Sequence, residues 1–448
     1  MQYTYVHCPC GQLKGIETDE YALFKGIRYA RAERWKAPQE VTQWQGIYDA
    51  TIPGSWCFQN DSFGFVKSAP NQFYYDEIVE KQVVTYSEDC LSLNIWTPQN
   101  VIDAPVLVYF HGGSYDTGGG DNISFSGAEY CKRGIIFVSA NYRLNAFSSA
   151  YGDGFSGNYG LQDQACALKW LKNNIRAFGG NPELITIMGE SAGAMSVQNL
   201  IFSPFAKGLF SGAIMLSGGG ILPDAFAIQT PEITENFWMD IKQALGAESL
   251  SDLKSIPAEK LFCAWKETMA SDRRYANITT PIIDKITIPK SPRTLVEERC
   301  INAVPTIIGV LSEDMWPHTL YQTALEWGLL MDCSEMPPVY GFYFDRVPPR
   351  SDYGAFHGCD IRYVFQTFHL SWRPYENIDY CLSNTMIDYF SNFIRTGNPN
   401  TGTSPEWTPI TQNNHRFMHF GDAPCEMYQV PENHLLCTQQ KNKPFPAM

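Results

Sequence analysis

The sequence predicts an α/β fold in which a central, mostly parallel β-sheet is flanked by helices. Short apolar runs of strand length alternate with helical patterns through the middle third of the chain, the rhythm of strand–helix–strand units. The runs are continuously apolar rather than alternating, as strands covered on both faces are. Several end in glycine-rich turns, at the carboxyl ends where a doubly wound sheet gathers its reactive groups.

In chain order, the run from Pro105 to Phe110 reads as a strand and ends at His111-Gly112-Gly113. A second runs from Ile135 to Val138. From Leu161 to Phe178 apolar residues recur every three or four positions, one face of a helix, and Gly179-Gly180 with Pro182 stop it. The strand Leu184 to Met188 leads into Gly189-Glu190-Ser191-Ala192-Gly193, and a small-residue helix follows from Ala194 towards Phe202. Residues 213–216 form the next strand. Residues 221–300 are irregular, with helical patches and scattered prolines, and read as an insertion over the active site at one end of the sheet. Strands follow at 304–310 and 339–344, then a long helix from about Ile378 to Ile394, closed by Gly397-Asn398-Pro399. Residues 1–448 thus read as a single domain carrying one irregular insertion.

The 33 Lys and Arg against 47 Asp and Glu leave a formal charge of −14. Nucleic acid and anionic membranes need a basic footprint, so neither is an expected partner. Hydrophobic residues make up 44% and charged residues 18%, which excludes disorder and coiled coil. No apolar run approaches the roughly 18 residues of a membrane span. The opening MQYTYVHCPCGQLKG lacks a basic head and an apolar stretch, so the chain reads as cytoplasmic. None of the thirteen cysteines joins a histidine or second cysteine pair at zinc spacing. Most are expected to be reduced core thiols, and neither metal nor cofactor is implied. Composition assigns no oligomeric state.

The pentapeptide 189–193 fits G-x-S-x-G and lies between an apolar strand and a helix, where a nucleophile elbow belongs. Its flanking glycines suit a turn too tight for Cβ atoms, and the Ala192 N–H can face a developing oxyanion. A solvated surface turn is the plainer alternative. A serine hydroxyl needs a base, and this sheet order calls for serine, then acid, then histidine. Among the histidines after Ser191, His357 sits in a loop shortly after a strand and before a helix; His318, on the preceding loop, is the runner-up. The acid is expected after the strand 304–310, where Glu313 and Asp314 both stand, and spacing does not choose between them. His111-Gly112-Gly113-Ser114, after an earlier strand, is the natural second source of oxyanion donors.

These motifs resemble those of the type-B carboxylesterases, the cholinesterase-like branch of the α/β-hydrolase fold. Matches run from Phe24-Lys25-Gly26-Ile27 to Arg395–Pro399 and Trp407. They include Glu88 to Pro98, Asn141-Tyr142-Arg143-Leu144, Asn158 to Gln164, Phe178 to Pro182, Gly189 to Gly193 and His357 to Ile361. The resemblance implies Ser191 as nucleophile, His357 as base and Asp314 as acid, aligned through Gly309, where most relatives have Glu; Glu313 remains the alternative. It implies oxyanion donors at Gly113 and Ser114 with Ala192, although Ser114 replaces a third glycine. Glu190 would add negative charge near the imidazolium, and Ser217 would support the site from behind. Cys57 and Cys90 fall where secreted relatives form a disulfide, but in a cytoplasmic protein the pair is expected to stay reduced. Tyr115, Phe147 and Trp316 are candidate pocket walls, with a core role the plainer reading for Phe147. The implied activity is hydrolysis of a small-molecule carboxylic ester through an acyl-enzyme. The same fold can act on amides, carbamates or lactones, and catalytically silent binding proteins share it. The silent relatives typically lose the serine or the histidine, and both are present here.

Overall fold

A computed structural model describes residues 2–59, 77, 83–221, 230–402 and 404–431. Among them a sheet of thirteen strands runs through the molecule. From one edge the order is Gln2–Cys8, Gly11–Glu17, Tyr21–Arg28, Ser92–Pro98, Ile136–Ala140, Ala104–Phe110, Gly180–Glu190, Gly212–Leu216, Thr306–Leu311, Val339–Phe344, Phe417–Phe420 and Glu426–Tyr428, with Ile47–Asp49 beside Gly11–Glu17. The strands from Ile136–Ala140 to Phe417–Phe420 are all parallel; those at the two ends pair antiparallel, apart from Ile47–Asp49. The sheet is therefore mostly parallel, with helices on both faces.

Ala104–Phe110 shows why its sequence is continuously apolar. Val106, Val108 and Phe110 point into one buried cluster with Trp170, Ile187 and Val197. Leu107 and Tyr109 point the other way, among Phe137, Met188 and Phe342. Each fully buried side chain of this size contributes on the order of 1.5–3 kcal/mol, so both faces select against polar residues. The helix Tyr159–Asn174 tightens into a 3₁₀ turn, Ile175–Phe178, and ends where Gly179 adopts φ 85°. Asn377–Thr396 begins with a Glu376–Asp379 capping box and ends at Gly397, φ 74°.

The insertion contains the helices Pro231–Leu245, Ala258–Ser271 and Pro292–Glu297; residues 222–229 of it lie outside the described ones. Phe237, Trp238, Leu261 and Trp265 form an apolar cluster with Trp35, Phe147 and Tyr159. The Trp238 indole donates to the Ser149 carbonyl at 2.9 Å, and Arg34 donates to the Leu253 and Ile256 carbonyls at 2.9 and 2.7 Å.

The expectation of reduced thiols is corrected at one pair. Cys57 and Cys90 are joined in a disulfide, with Cα atoms 4.9 Å apart. The short strands Trp56–Cys57 and Tyr86–Ser87 pair in parallel and bring the two cysteines together, a proximity that spacing along the chain does not reveal. Among the described residues, ten other cysteines are free, no group of metal-binding side chains gathers, and no helix is long and apolar enough to cross a membrane.

Candidate active site

The strand Gly180–Glu190 ends one residue before Ser191, and the helix Ala192–Phe202 begins one residue after it. Between them Ser191 adopts φ 57°, ψ −124°, a conformation that costs a side-chain-bearing residue about 1–3 kcal/mol. The turn is enforced from both sides. The Ser191 N–H donates to the Leu216 carbonyl at 2.9 Å, and the Met195 N–H binds the Ser191 carbonyl at 3.0 Å. A Cβ on Gly189 would stand 2.2 Å from the Gly193 carbonyl group, and one on Gly193 would stand 2.1 Å from the Phe110 oxygen. The flanking glycines are therefore steric requirements, as the pentapeptide suggested, and Ser191 is lifted to the surface of a cleft.

His357 reaches the same cleft from the loop after Val339–Phe344. Its Nδ1 lies 2.6 Å from Asp314 Oδ1. Asp314 is 1% exposed, and its Oδ1 also accepts the Met315 N–H at 2.8 Å. Burial alone would raise its pKa. The imidazolium charge and hydrogen bond, with help from the Met315 N–H, instead hold it below the ordinary carboxylate value. A carboxylate at that place fixes the neutral ring as the Nδ1–H tautomer and leaves Nε2 its lone pair. Glu313 turns away: its Oε2 accepts the Ala355 N–H at 2.9 Å and the Ser312 hydroxyl, stapling the histidine loop. His318 is exposed at the start of the helix Pro317–Cys333.

Glu190, from the strand side of the turn, puts Oε1 3.3 Å from His357 Nε2. Burial raises its pKa to about 7, opposed by the His357 charge. Burial favours the neutral imidazole too, but the Asp314 and Glu190 carboxylates outweigh it and raise the His357 pKa to about 9. Asp360 is the neighbour that motif reading passed over. It is fully buried, neither carboxylate oxygen has a hydrogen-bond partner among the described residues, and burial with the Glu190 and Asp314 charges lifts it to about 8. Its place three residues after His357 was visible, but the absence of partners is a property of the fold.

Gly112, Gly113 and Ser114 line the cleft beside Ser191, with Gly118, Gly119, Phe125, Phe356, Ile361 and Tyr375 among the other walls; it holds about 960 Å³ counted to its mouth. Gly112 is pressed against the elbow, since a Cβ there would stand 2.8 Å from the Glu190 carbonyl oxygen. Ala192 opens the helix behind the serine. Two of the candidate walls are corrected: Tyr115 is buried in a core cluster, and Trp316 is half exposed at the surface. Phe147 takes the core role that was its plainer reading, against Phe58 with ring centres 5.4 Å apart. Tyr115 adopts φ 57°. No described residue of the insertion lines the cleft; it touches the Gly113 loop through Lys266, whose Nζ is 2.7 Å from Asp116 Oδ2.

The profile of the family described as "Carboxylesterase family" matches residues 2–326 and 318–437. The para-nitrobenzyl esterase of Bacillus subtilis (strain 168) is 28% identical over 467 residues, covering 90% of this chain and 91% of that protein. The bile salt-activated lipase of Rattus norvegicus is 30% identical over 502 residues, covering 89% and 78%. A solved thermophilic PNB esterase superposes with a TM-score of 0.84 at 26% identity, over 98% of this chain and 99% of that one.

Proposed function

The chain belongs to the carboxylesterase family and is an enzyme that hydrolyses carboxylic esters, and from that premise we propose that Ser191, His357 and Asp314 carry the reaction. Ser191 Oγ attacks the ester carbonyl carbon as His357 Nε2 takes its proton, with Asp314 orienting the ring and steadying the imidazolium. The carbonyl oxygen becomes an oxyanion received by the backbone N–H groups of Gly113, Ser114 and Ala192. Collapse expels the alcohol, which leaves with the proton from His357, and the acyl group stays on Ser191. Water then repeats the sequence against the acyl-enzyme and restores the serine. Glu190 and Ser217 act through the electrostatics of the His357–Asp314 pair. The apolar walls Phe125, Phe356 and Ile361 favour esters with an apolar acyl or alcohol group.

The observation that carries this reading is the 2.6 Å His357–Asp314 contact, with His357 lining the same cleft as a serine on a strained turn. The test is turnover of short p-nitrophenyl esters by folded Ser191→Ala. We expect a loss of about 10⁴-fold or more; turnover within a few-fold of wild type would remove Ser191 from the mechanism.

A further inference from the structure

Three successive residues of the loop beside Ser191 hold the left-handed backbone conformation: Gly113 at φ 108°, Ser114 at φ 56° and Tyr115 at φ 57°. Only the glycine adopts it without steric cost, so local preference does not hold this loop in shape. From within, the Asp116 and Thr117 N–H groups both bind the Gly113 carbonyl, at 2.9 and 3.0 Å. From outside, two buried side-chain amides with no part in the chemistry grip it. Asn145, 1% exposed, donates through Nδ2 to the Asp116 carbonyl at 3.0 Å and to the Phe58 carbonyl at 2.9 Å. Its own N–H donates to the Tyr115 carbonyl at 2.7 Å. Gln59 engages both polar groups of Gly118: Nε2 donates to the carbonyl at 2.8 Å, and Oε1 accepts the N–H at 2.8 Å. Gln59 Nε2 also donates to the Cys57 carbonyl at 3.0 Å. Phe58 and Gln59 directly follow Cys57, which the disulfide ties to Cys90.

We propose that Asn145 and Gln59 are positioning residues that brace the loop 113–118 against the disulfide-anchored segment 57–59, and so hold the oxyanion donors in place. The inference rests on the reading of Gly113 and Ser114 as those donors. An oxyanion donor works only about 3 Å from where the charge develops, and losing one costs on the order of 10²–10³ in kcat. A displacement of about 1 Å can cost on the order of 100-fold. The apolar walls that would hold the ground-state ester, Phe125, Phe356 and Ile361, lie outside the braced loop. Loosening the brace therefore falls on kcat rather than on KM. Both amides donate to carbonyl oxygens, so a carboxylate in either place has no hydrogen to give and faces lone pairs instead.

The test uses Asn145→Asp and Gln59→Glu, which keep side-chain size and remove the donors. Asn145→Gly is added because glycine adopts the φ of 46° found there freely. Each variant is assayed for kcat and KM on p-nitrophenyl butyrate. Each is also titrated with a trifluoromethyl ketone, whose carbonyl takes the Ser191 oxygen, passes the serine proton to His357 and leaves an oxyanion in the hole. We expect kcat to fall about tenfold or more with KM within about threefold. The inhibition constant of the ketone should rise by the factor that kcat/KM falls. Ser191→Ala is run alongside, and if it retains turnover the reading of the site has failed and the brace with it. If Ser191→Ala is silent while Asn145→Asp, Asn145→Gly and Gln59→Glu keep wild-type kcat and ketone affinity, or lose activity through KM alone, the brace is overturned.

Discussion

Glu190 stands 3.3 Å from His357 Nε2, the nitrogen that takes the serine proton in the proposed mechanism, so its charge bears directly on when that nitrogen is available. In the proposed role of base His357 works only when neutral, and the two carboxylates raise its pKa to about 9; kcat/KM should therefore climb with pH through that limb. Glu190→Gln removes one negative charge, destabilises the imidazolium and lowers its pKa, so the midpoint of the limb should move to lower pH by about one unit. A pH profile with an unmoved or higher midpoint would contradict this coupling. The acid is tested at the same scale. Asp314→Asn should lower kcat about 10⁴-fold, the size of effect that loss of the orienting carboxylate has in serine hydrolases. Glu313→Gln should leave kcat largely intact and cost only stability in the histidine loop; the opposite ranking would reassign the acid. Ser191 and His357 were legible because each lies in a short motif between recognisable elements. Glu313 and Asp314 were not separable from the residues alone, because the choice depends on which one the loop turns towards His357. Asp360 escaped notice because a carboxyl group shows its lack of partners only after the chain has folded around it.

Asn141-Tyr142-Arg143 shows how one segment supports the site through its neighbours. Asn141 Oδ1 accepts the Gly120 N–H at 2.7 Å, the Tyr142 hydroxyl donates to the His111 carbonyl at 2.7 Å, and Arg143 holds Asp163 through Nε at 2.8 Å and Nη2 at 2.7 Å. The Arg143–Asp163 pair is almost wholly buried, so Asp163→Ala leaves a guanidinium without its counter-charge. That should cost about 3–5 kcal/mol, read as a lower thermal or urea midpoint; a midpoint within the error of wild type would show that the pair is not needed. Most of the parallel strands were readable as elements because burial on both faces leaves an unbroken apolar run; the short Phe417–Phe420 was not. Boundaries were less so. The strand after the first long helix begins at Gly180, ahead of the apolar run, because the Gly180 position pairs with Ala104 across an irregular register. The antiparallel strands Gln2–Cys8, Gly11–Glu17 and Tyr21–Arg28 were not read at all, since an edge hairpin partly open to water carries little apolar signal.

At the scale of the molecule, the sheet brings residues far apart in sequence to one rim. The Ser191 turn, the Gly113 loop and the His357 loop all follow the carboxyl ends of parallel strands, where a doubly wound sheet presents its ligands. The Cys57–Cys90 bridge closes a separation of 33 residues on that rim, and a disulfide of this kind persists where the surroundings are oxidising. The expectation of a cytoplasmic setting rested on the character of the first residues and on the lack of a membrane-length apolar run, neither of which bears on the pairing of two strands that made the bridge. The account as a whole depends on a single nucleophile made reactive by the rim. The most direct test is labelling of the folded enzyme with a fluorophosphonate, followed by peptide mass spectrometry of wild type and His357→Ala. One phosphonyl group per chain is expected, on the peptide carrying Ser191, with labelling of His357→Ala slowed by orders of magnitude. Modification at another residue, or equal rates in the two proteins, would contradict it.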